Sequence, residues 1–427
     1  MRLANHTAPS GWRAESARRI EVHRKADFTL QINDTEGAPL VGAPVEVRLT
    51  RHAFLFGTCV NTALLHQNDE NADQYRAHIL HHFTGLVDEG SMKWQSIEKE
   101  QGHIDFSGAD TLLEFAEKHG LPLRGHCLHW SKEKFARPWV KNLDDETLRA
   151  HALAHVDRMV AHTRGRVICW DAYNEMLDGT YFQDRLGPNF RAEVLQRAHA
   201  VDPDVPLFVN EYHIIDSDER VDQYLCLIRG LQAQGAPIHG IGVQAHAAER
   251  FAHRLDGEAP DLHPERAAPG DWHPLGVWRR LDALAATGLP IHFTEISAKS
   301  KCPEHRADGL EIFLRTAFAH PRVEAILLWG FWEHAHWLGE AAALVAADWT
   351  MLEPGRRVLD LWEKEWTTRE TLLTDCGGRV RFRGFPGDYE VLTPVGAARA
   401  HLDKEPGNIV MIGITTEDLP KSPISDS

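Results

Sequence analysis

Eight short apolar stretches, each ending in a polar tail, constrain this chain more than any other feature of it. They are FLFGTCV (54–60), FTGLVDEG (83–90), LPLRGHCLHW (121–130), VICWDAYNE (167–175), PLFVNEY (206–212), HGIGVQAH (239–246), PIHFTEIS (290–297) and AILLWGFW (325–332). Their starts lie roughly 30 to 50 residues apart, room for one strand, one helix and two loops per repeat. The spacing between them predicts helices with sensible ends. GADTLLEFAEKHG closes on Gly120, and DDETLRAHALAHVDRMVAHTRG opens with acids and closes on Gly165. Eight strand–helix units within about 310 residues most simply close into a (β/α)8 TIM barrel. An open doubly wound sheet is the alternative, but no Gly-x-Gly-x-x-Gly loop opens any of the helices.

A barrel of this kind carries its chemistry at the C-terminal ends of its strands, where the packed interior gives way to loops. The tails hold Glu89 and Lys93, His126 and Trp130, Asn174 and Glu175, Asn210 and Tyr212, Gln244 and His246, Glu295, and Trp329 with Trp337. Any single acid among them could be a solvated strand end; the set, with an aromatic or amide near most acids, points to a cleft. Glu175 and Glu295, at the ends of the fourth and seventh runs, can converge across a narrow barrel. Two carboxyl groups about 5 to 5.5 Å apart suit retaining glycoside hydrolysis, one as nucleophile and the other as acid and then base. Flat faces from Trp130, Tyr212, Trp329 and Trp337 suit the apolar faces of pyranose rings.

Charge narrows the partners. The formal net charge is −16 with His neutral. That disfavours nucleic acid and anionic membranes and leaves a neutral or cationic ligand. No apolar stretch is long enough to span a membrane. The N-terminal MRLANHTAPSGWRAESARRIEVHRK lacks the apolar core of a signal peptide, so the chain is cytosolic or its export signal has been removed; secretion is the expectation adopted. Six cysteines without C-x-x-C spacing read as free, mostly buried thiols. Despite 27 His residues there is no HExxH, and His126 and His129, three apart in one run, face opposite ways in a strand, so no metal or other cofactor is expected.

WDAYNE, LFVNEY, GIGVQAH, IHFTEIS and the tryptophans of LLWGFWEHAHW together resemble family 10 glycoside hydrolases, the retaining endo-β-1,4-xylanases. RGHCLHW followed by RPWVKNL, with YNEML, is most similar to plant-like members. The resemblance runs from FLFGTCVN to the region of Leu359–Trp366. It implies Glu175 as acid/base and Glu295 as nucleophile. It also implies a sugar-binding lining of Glu89, Lys93, His126, Trp130, Asn174, Tyr212, Gln244, His246, Trp329 and Trp337, acting on xylan or a related β-glycan; a monomer is expected.

Three positions depart from the family's pattern. Gly90 stands where members usually carry Asn in Glu-Asn-x-Met-Lys-Trp, removing an amide at the second sugar. Ser297 replaces the Asp that usually orients the His of the Q-x-H motif. WSKEK replaces the usual WHS after the first tryptophan and changes the loop wall.

The ends of the chain read as strands. ADFTLQINDTEGAPLVGAPVEVRLTRHAF alternates around a TEG turn, and GGRVRFRGFPGDYEVLTP with NIVMIGI does the same near the other end. The expected organisation is a catalytic barrel over 53–368, a small β-sandwich built from both termini (1–52 and 369–415), and a disordered tail, 416–427.

Overall fold

The structure, a computed structural model, describes residues 11–252, 272–404 and 409–415; the tail expected at 416–427 lies outside them. The described residues form two compact units, one of residues 11–13 and Leu55–Val358, the other of Ala14–Phe54 and residues 359–415. Strands are numbered along the chain. β1 (Ala26–Asn33) and β2 (Pro44–His52) come first. Eight more follow: β3 (Leu55–Val60), β4 (Gly85–Asp88), β5 (Leu123–His126), β6 (Cys169–Asn174), β7 (Leu207–Glu211), β8 (Gly240–Ala245), β9 (Ile291–Ile296) and β10 (Val323–Leu328). The last five are β11 (Arg369–Leu373), β12 (Arg379–Gly384), β13 (Gly387–Thr393), β14 (Gly396–Leu402) and β15 (Ile409–Gly413).

β3 to β10 are parallel and close into a barrel, each pairing with the next and β10 returning to β3 through Ala325↔Leu55. Being covered on both faces, these strands run almost continuously apolar, which is why they stood out in sequence. Every residue of β6, β7, β8 and β9 is buried. Helices follow each strand, among them Ser107–His119, Asp145–His162, Asp218–Ala233 and Pro303–Phe318. The first ends as expected on Gly120, whose φ of 60 lets it accept a left-handed cap that β-carbons resist. No helix of the described residues is long and apolar enough to cross a membrane.

The third run, LPLRGHCLHW, reads as one strand to Trp130, but β5 stops at His126. His126 turns toward the barrel interior. His129 instead packs outward against Tyr173, Phe182 and Phe190, so the two rings face opposite ways, as their spacing predicts. Burial holds His129 down to about 3, and the two histidines share no ligand position.

The second unit is a sandwich of two sheets, β12-β1-β15 and β11-β2-β13-β14, sharing a core that includes Phe28, Leu30, Val45, Val47, Phe382 and Tyr389. The TEG turn forms, its backbone N–H groups at Glu36 and Ala38 both donating to Asp34 Oδ1 at 2.9 Å. The strands it joins nevertheless part. β1 pairs antiparallel with β12 and parallel with β15, while β2 pairs with β11 and β13. A helix, Trp12–Arg24, precedes them where only strands were expected. It is polar nearly all round and carries pairs such as Glu15 with Arg18 and Arg19, so it lacks the apolar stripe that reveals a helix in sequence.

Candidate active site

The strand tails of the barrel line one cleft of about 390 Å3. Eleven of the twelve residues singled out from sequence line it: Lys93, His126, Trp130, Asn174, Glu175, Tyr212, Gln244, His246, Glu295, Trp329 and Trp337. Glu89 is not among the lining residues. It is half-buried at the end of β4, bonded to Asn61, and burial raises its pKa.

Amides link the two carboxylates. Asn210, on β7, donates from Nδ2 to Asn174 Oδ1 at 2.9 Å and to Glu295 Oε1 at 3.0 Å, while its own Oδ1 accepts from the Thr294 hydroxyl at 2.7 Å. Gln244 donates to the same Asn174 oxygen and to Glu175 Oε1, both at 3.4 Å. Strand register creates this arrangement, because Asn174 pairs with Asn210 and Gln244 with Glu295, the second directly after an irregularity in the ladder and the first one pair beyond another. The second oxygen of Glu295 lies 3.1 Å from His246 Nε2. Burial alone would raise the pKa of Glu295. The hydrogen bond from His246, together with the positive fields of His126, His246 and Lys93, outweighs it and lowers the pKa instead.

Glu175 follows β6 with a φ of 57, a left-handed conformation that costs a side chain of this kind about 1 kcal/mol or more. Its N–H donates to the Asn210 carbonyl at 2.8 Å. Two residues on, the Leu177 N–H donates to Glu211 Oε2 at 2.7 Å. Glu211 also accepts from the Tyr212 N–H at 3.0 Å, and burial pushes its pKa up to about 8. Beneath the floor, the Arg124 guanidinium grips Asp171, and His126 Nδ1 lies 2.9 Å from Asp171 Oδ2. Burial would raise Asp171, but Arg124 and His126 overcome it and hold the carboxyl at about 2.

Ser297 Oγ lies 3.2 Å from His246 Nδ1 and accepts from the Trp337 indole N–H at 3.4 Å. A β-carbon at Gly90 would meet no atom within 4 Å. Trp130 stacks on Phe135 with centroids 3.8 Å apart, and the Lys93 ammonium lies 4.7 Å from the Trp130 centroid and 5.9 Å from that of Trp329. Trp337 is 52% exposed, a ring face open to the cleft.

Sequence reasoning passed over Lys132, Lys134, Phe135, His213, Asp216 and Trp272, which also line the cleft, and named Asn210 only as a strand-tail residue, with no catalytic or binding role. The signal for Asn210 was present, since in LFVNEY it stands two positions before Tyr212 and on the same strand face. The loop residues carried no period to find them by. Of the cysteines, Cys59, Cys127 and Cys169 are buried, Cys302 is half-buried, and Cys226 and Cys376 are exposed; all six are free thiols, but only half are buried.

Comparison with known proteins places this geometry in a family. The family described as glycosyl hydrolase family 10 matches residues 47–352. The anti-sigma-I factor RsgI6 of Acetivibrio thermocellus is 35% identical over 384 residues, covering 90% of this chain and 47% of that protein. Endo-1,4-beta-xylanase 2 of Arabidopsis thaliana is 35% identical over 380 residues, 87% of this chain and 32% of that protein. This chain therefore spans half or less of these relatives' length. In structure, xylanase 10B of Thermotoga maritima superposes with a TM-score of 0.62 over 73% of this chain and 96% of that one, at 23% identity, and so shares the barrel fold. From the match over most of the barrel and the identity to these relatives, the chain belongs to glycosyl hydrolase family 10.

Proposed function

We propose that this chain is an endo-acting β-1,4-xylan hydrolase that works by retaining double displacement, outside the cell and without a cofactor. The observation that carries the reading is Glu295, a buried carboxylate kept ionised by Asn210 and His246 in the same cleft as Glu175. Glu295 attacks the anomeric carbon, and Glu175 protonates the departing oxygen. Glu175 then takes a proton from the water that releases the glycosyl-enzyme. With His246 Nε2–H donating to Glu295, His246 Nδ1 accepts from the Ser297 hydroxyl, and Trp337 donates to that hydroxyl in turn. The Ser297 hydroxyl and the Trp337 indole, in line behind it, orient the imidazole. Asn174, its oxygen occupied by two amides, offers its NH2 to a substrate hydroxyl. Relatives named as endo-1,4-beta-xylanases support the choice of xylan.

A sugar-binding barrel that does not cut is the second reading, favoured by the relative named as an anti-sigma-I factor. Retention of both carboxylates argues against it. The test is turnover. Glu295→Ala should abolish cleavage of xylan, and added azide should restore part of it with inverted product stereochemistry. Wild-type protein that binds xylan without cutting it would establish the second reading, and cleavage of a different β-glycan alone would replace the substrate.

A further inference from the structure

The loop after β5 aims two cations into the cleft. Ser131 anchors it, buried, with its hydroxyl 2.7 Å from that of Tyr173. Glu133–Phe135 then forms a single helical turn. Lys132 and Lys134 line the cleft, whereas Glu133 is 66% exposed and lies 3.9 Å from Lys141. The Lys132 side chain is only 17% exposed. Its ammonium donates to the Tyr212 hydroxyl at 2.8 Å, sits 4.7 Å from the centroid of that ring, and is 3.7 Å from Glu175 Oε2. The Lys134 ammonium lies over Phe135, the ring that stacks on Trp130, and among the described residues no carboxylate is within ion-pairing distance of it. With Lys93, three ammonium groups line a cleft in a protein whose net charge is −16.

Lys93 acts on Glu295, but among the described residues neither Glu295 nor Asp216 pairs with Lys132 or Lys134. Glu295 is held by Asn210 and His246, and Asp216 by His213 and Arg250. A neutral sugar needs amides, hydroxyls and ring faces, all present without these lysines. A largely buried ammonium with one carboxylate at 3.7 Å, beside a second cation, is instead matched to an incoming anion. Resting on the assignment of Glu175 to the leaving oxygen, Lys132 stands beside the bond to be cut. We propose that Lys132 and Lys134 form a subsite for the carboxylate of a uronic acid branch carried by a xylan sugar next to the cut. The preferred substrate is then an acid-decorated xylan rather than a plain one.

The test compares glucuronic acid-substituted xylan with the same polymer after reduction of its carboxyls to alcohols. Wild type should favour the acidic polymer in kcat/KM by about fivefold or more, the worth of one or two partly exposed ion pairs. The preference should shrink toward unity at roughly 0.5 M salt, where such pairs are screened. It should also shrink in Lys134→Gln and vanish in the Lys132→Gln/Lys134→Gln double variant; being a ratio, it survives a general loss of turnover. A ratio near unity in wild type, or one unchanged in the double variant, overturns the subsite. A second readout needs no catalysis: calorimetry on Glu295→Ala with a glucuronic acid-branched xylotetraose and its carboxyl-reduced twin. Tighter binding of the acidic form supports the subsite even if wild type cuts neither polymer, a result that would sink the proposed reaction alone. Equal binding of the two overturns the subsite.

Discussion

Glu175 occupies a backbone conformation that few side chains adopt, and two hydrogen bonds around it, from its own N–H to Asn210 and from Leu177 to Glu211, resist its relaxation. Such rigidity suits a group that must meet one oxygen atom. If it is the acid, Glu175→Gln should slow xylooligosaccharides with poor leaving groups by about 10²–10⁴-fold while leaving the first step on activated aryl xylosides far less affected; equal slowing across a leaving-group series would remove the role. At Gly90 a β-carbon would meet no atom within 4 Å, so a side chain can start there without a clash. Gly90→Asn should therefore tighten xylooligosaccharide binding by no more than about 1.5 kcal/mol, measured by calorimetry; weaker binding would mean that the amide finds no sugar hydroxyl there. At this scale the sequence showed the residues that end apolar runs. It could not show Lys132 or Lys134, because a lysine in an aperiodic loop looks the same whether it faces solvent or a cleft.

Within the barrel, glycines mark where one strand's side chains fill space that a neighbour leaves. A β-carbon at Gly240 would fall 2.1 Å from Phe208 Cε1, and one at Gly125 would fall 2.5 Å from Trp170. Gly240→Ala should accordingly lower stability by about 1–3 kcal/mol through overpacking. Gly230, exposed within the helix Asp218–Ala233 and with nothing within 4 Å, should behave oppositely. Gly230→Ala should add about 0.5–1 kcal/mol, because alanine loses less backbone freedom in a helix. Urea midpoints of the two variants check both signs. All eight barrel strands were legible because burial on both faces leaves a continuous apolar run. Trp12–Arg24 was not, since charge pairs along its surface stand in for the stripe by which a helix is read.

For the barrel unit as a whole, buried ionisable groups set how stability depends on pH. Burial depresses His78, His129 and His336 to about 3, so between about 3 and 6.5 the unfolded chain binds protons that the native one refuses, and stability rises with pH. Burial raises Glu211 and Glu249 to about 8, so the native state keeps protons that the unfolded chain releases above about 4.5, and their contribution falls as pH climbs to about 8. The histidine term is exhausted near 6.5, which places the maximum close to that pH. Glu249→Gln should flatten the decline between pH 6.5 and 8 in unfolding titrations; an unchanged slope would mean that Glu249 is ionised in the native protein. Alternation in the terminal segments revealed a sandwich but not its pairing, because the turn at Asp34 looks like a hairpin turn and the partners that override it lie about 350 residues away. That pairing has a consequence in time. β1 and β2 leave the ribosome before the barrel, yet every strand they pair with follows it. At roughly 5 to 20 residues per second, two apolar, β-prone segments wait tens of seconds without partners. The cell must shield them through that interval, and any early stop after β10 leaves them permanently exposed as templates for aggregation.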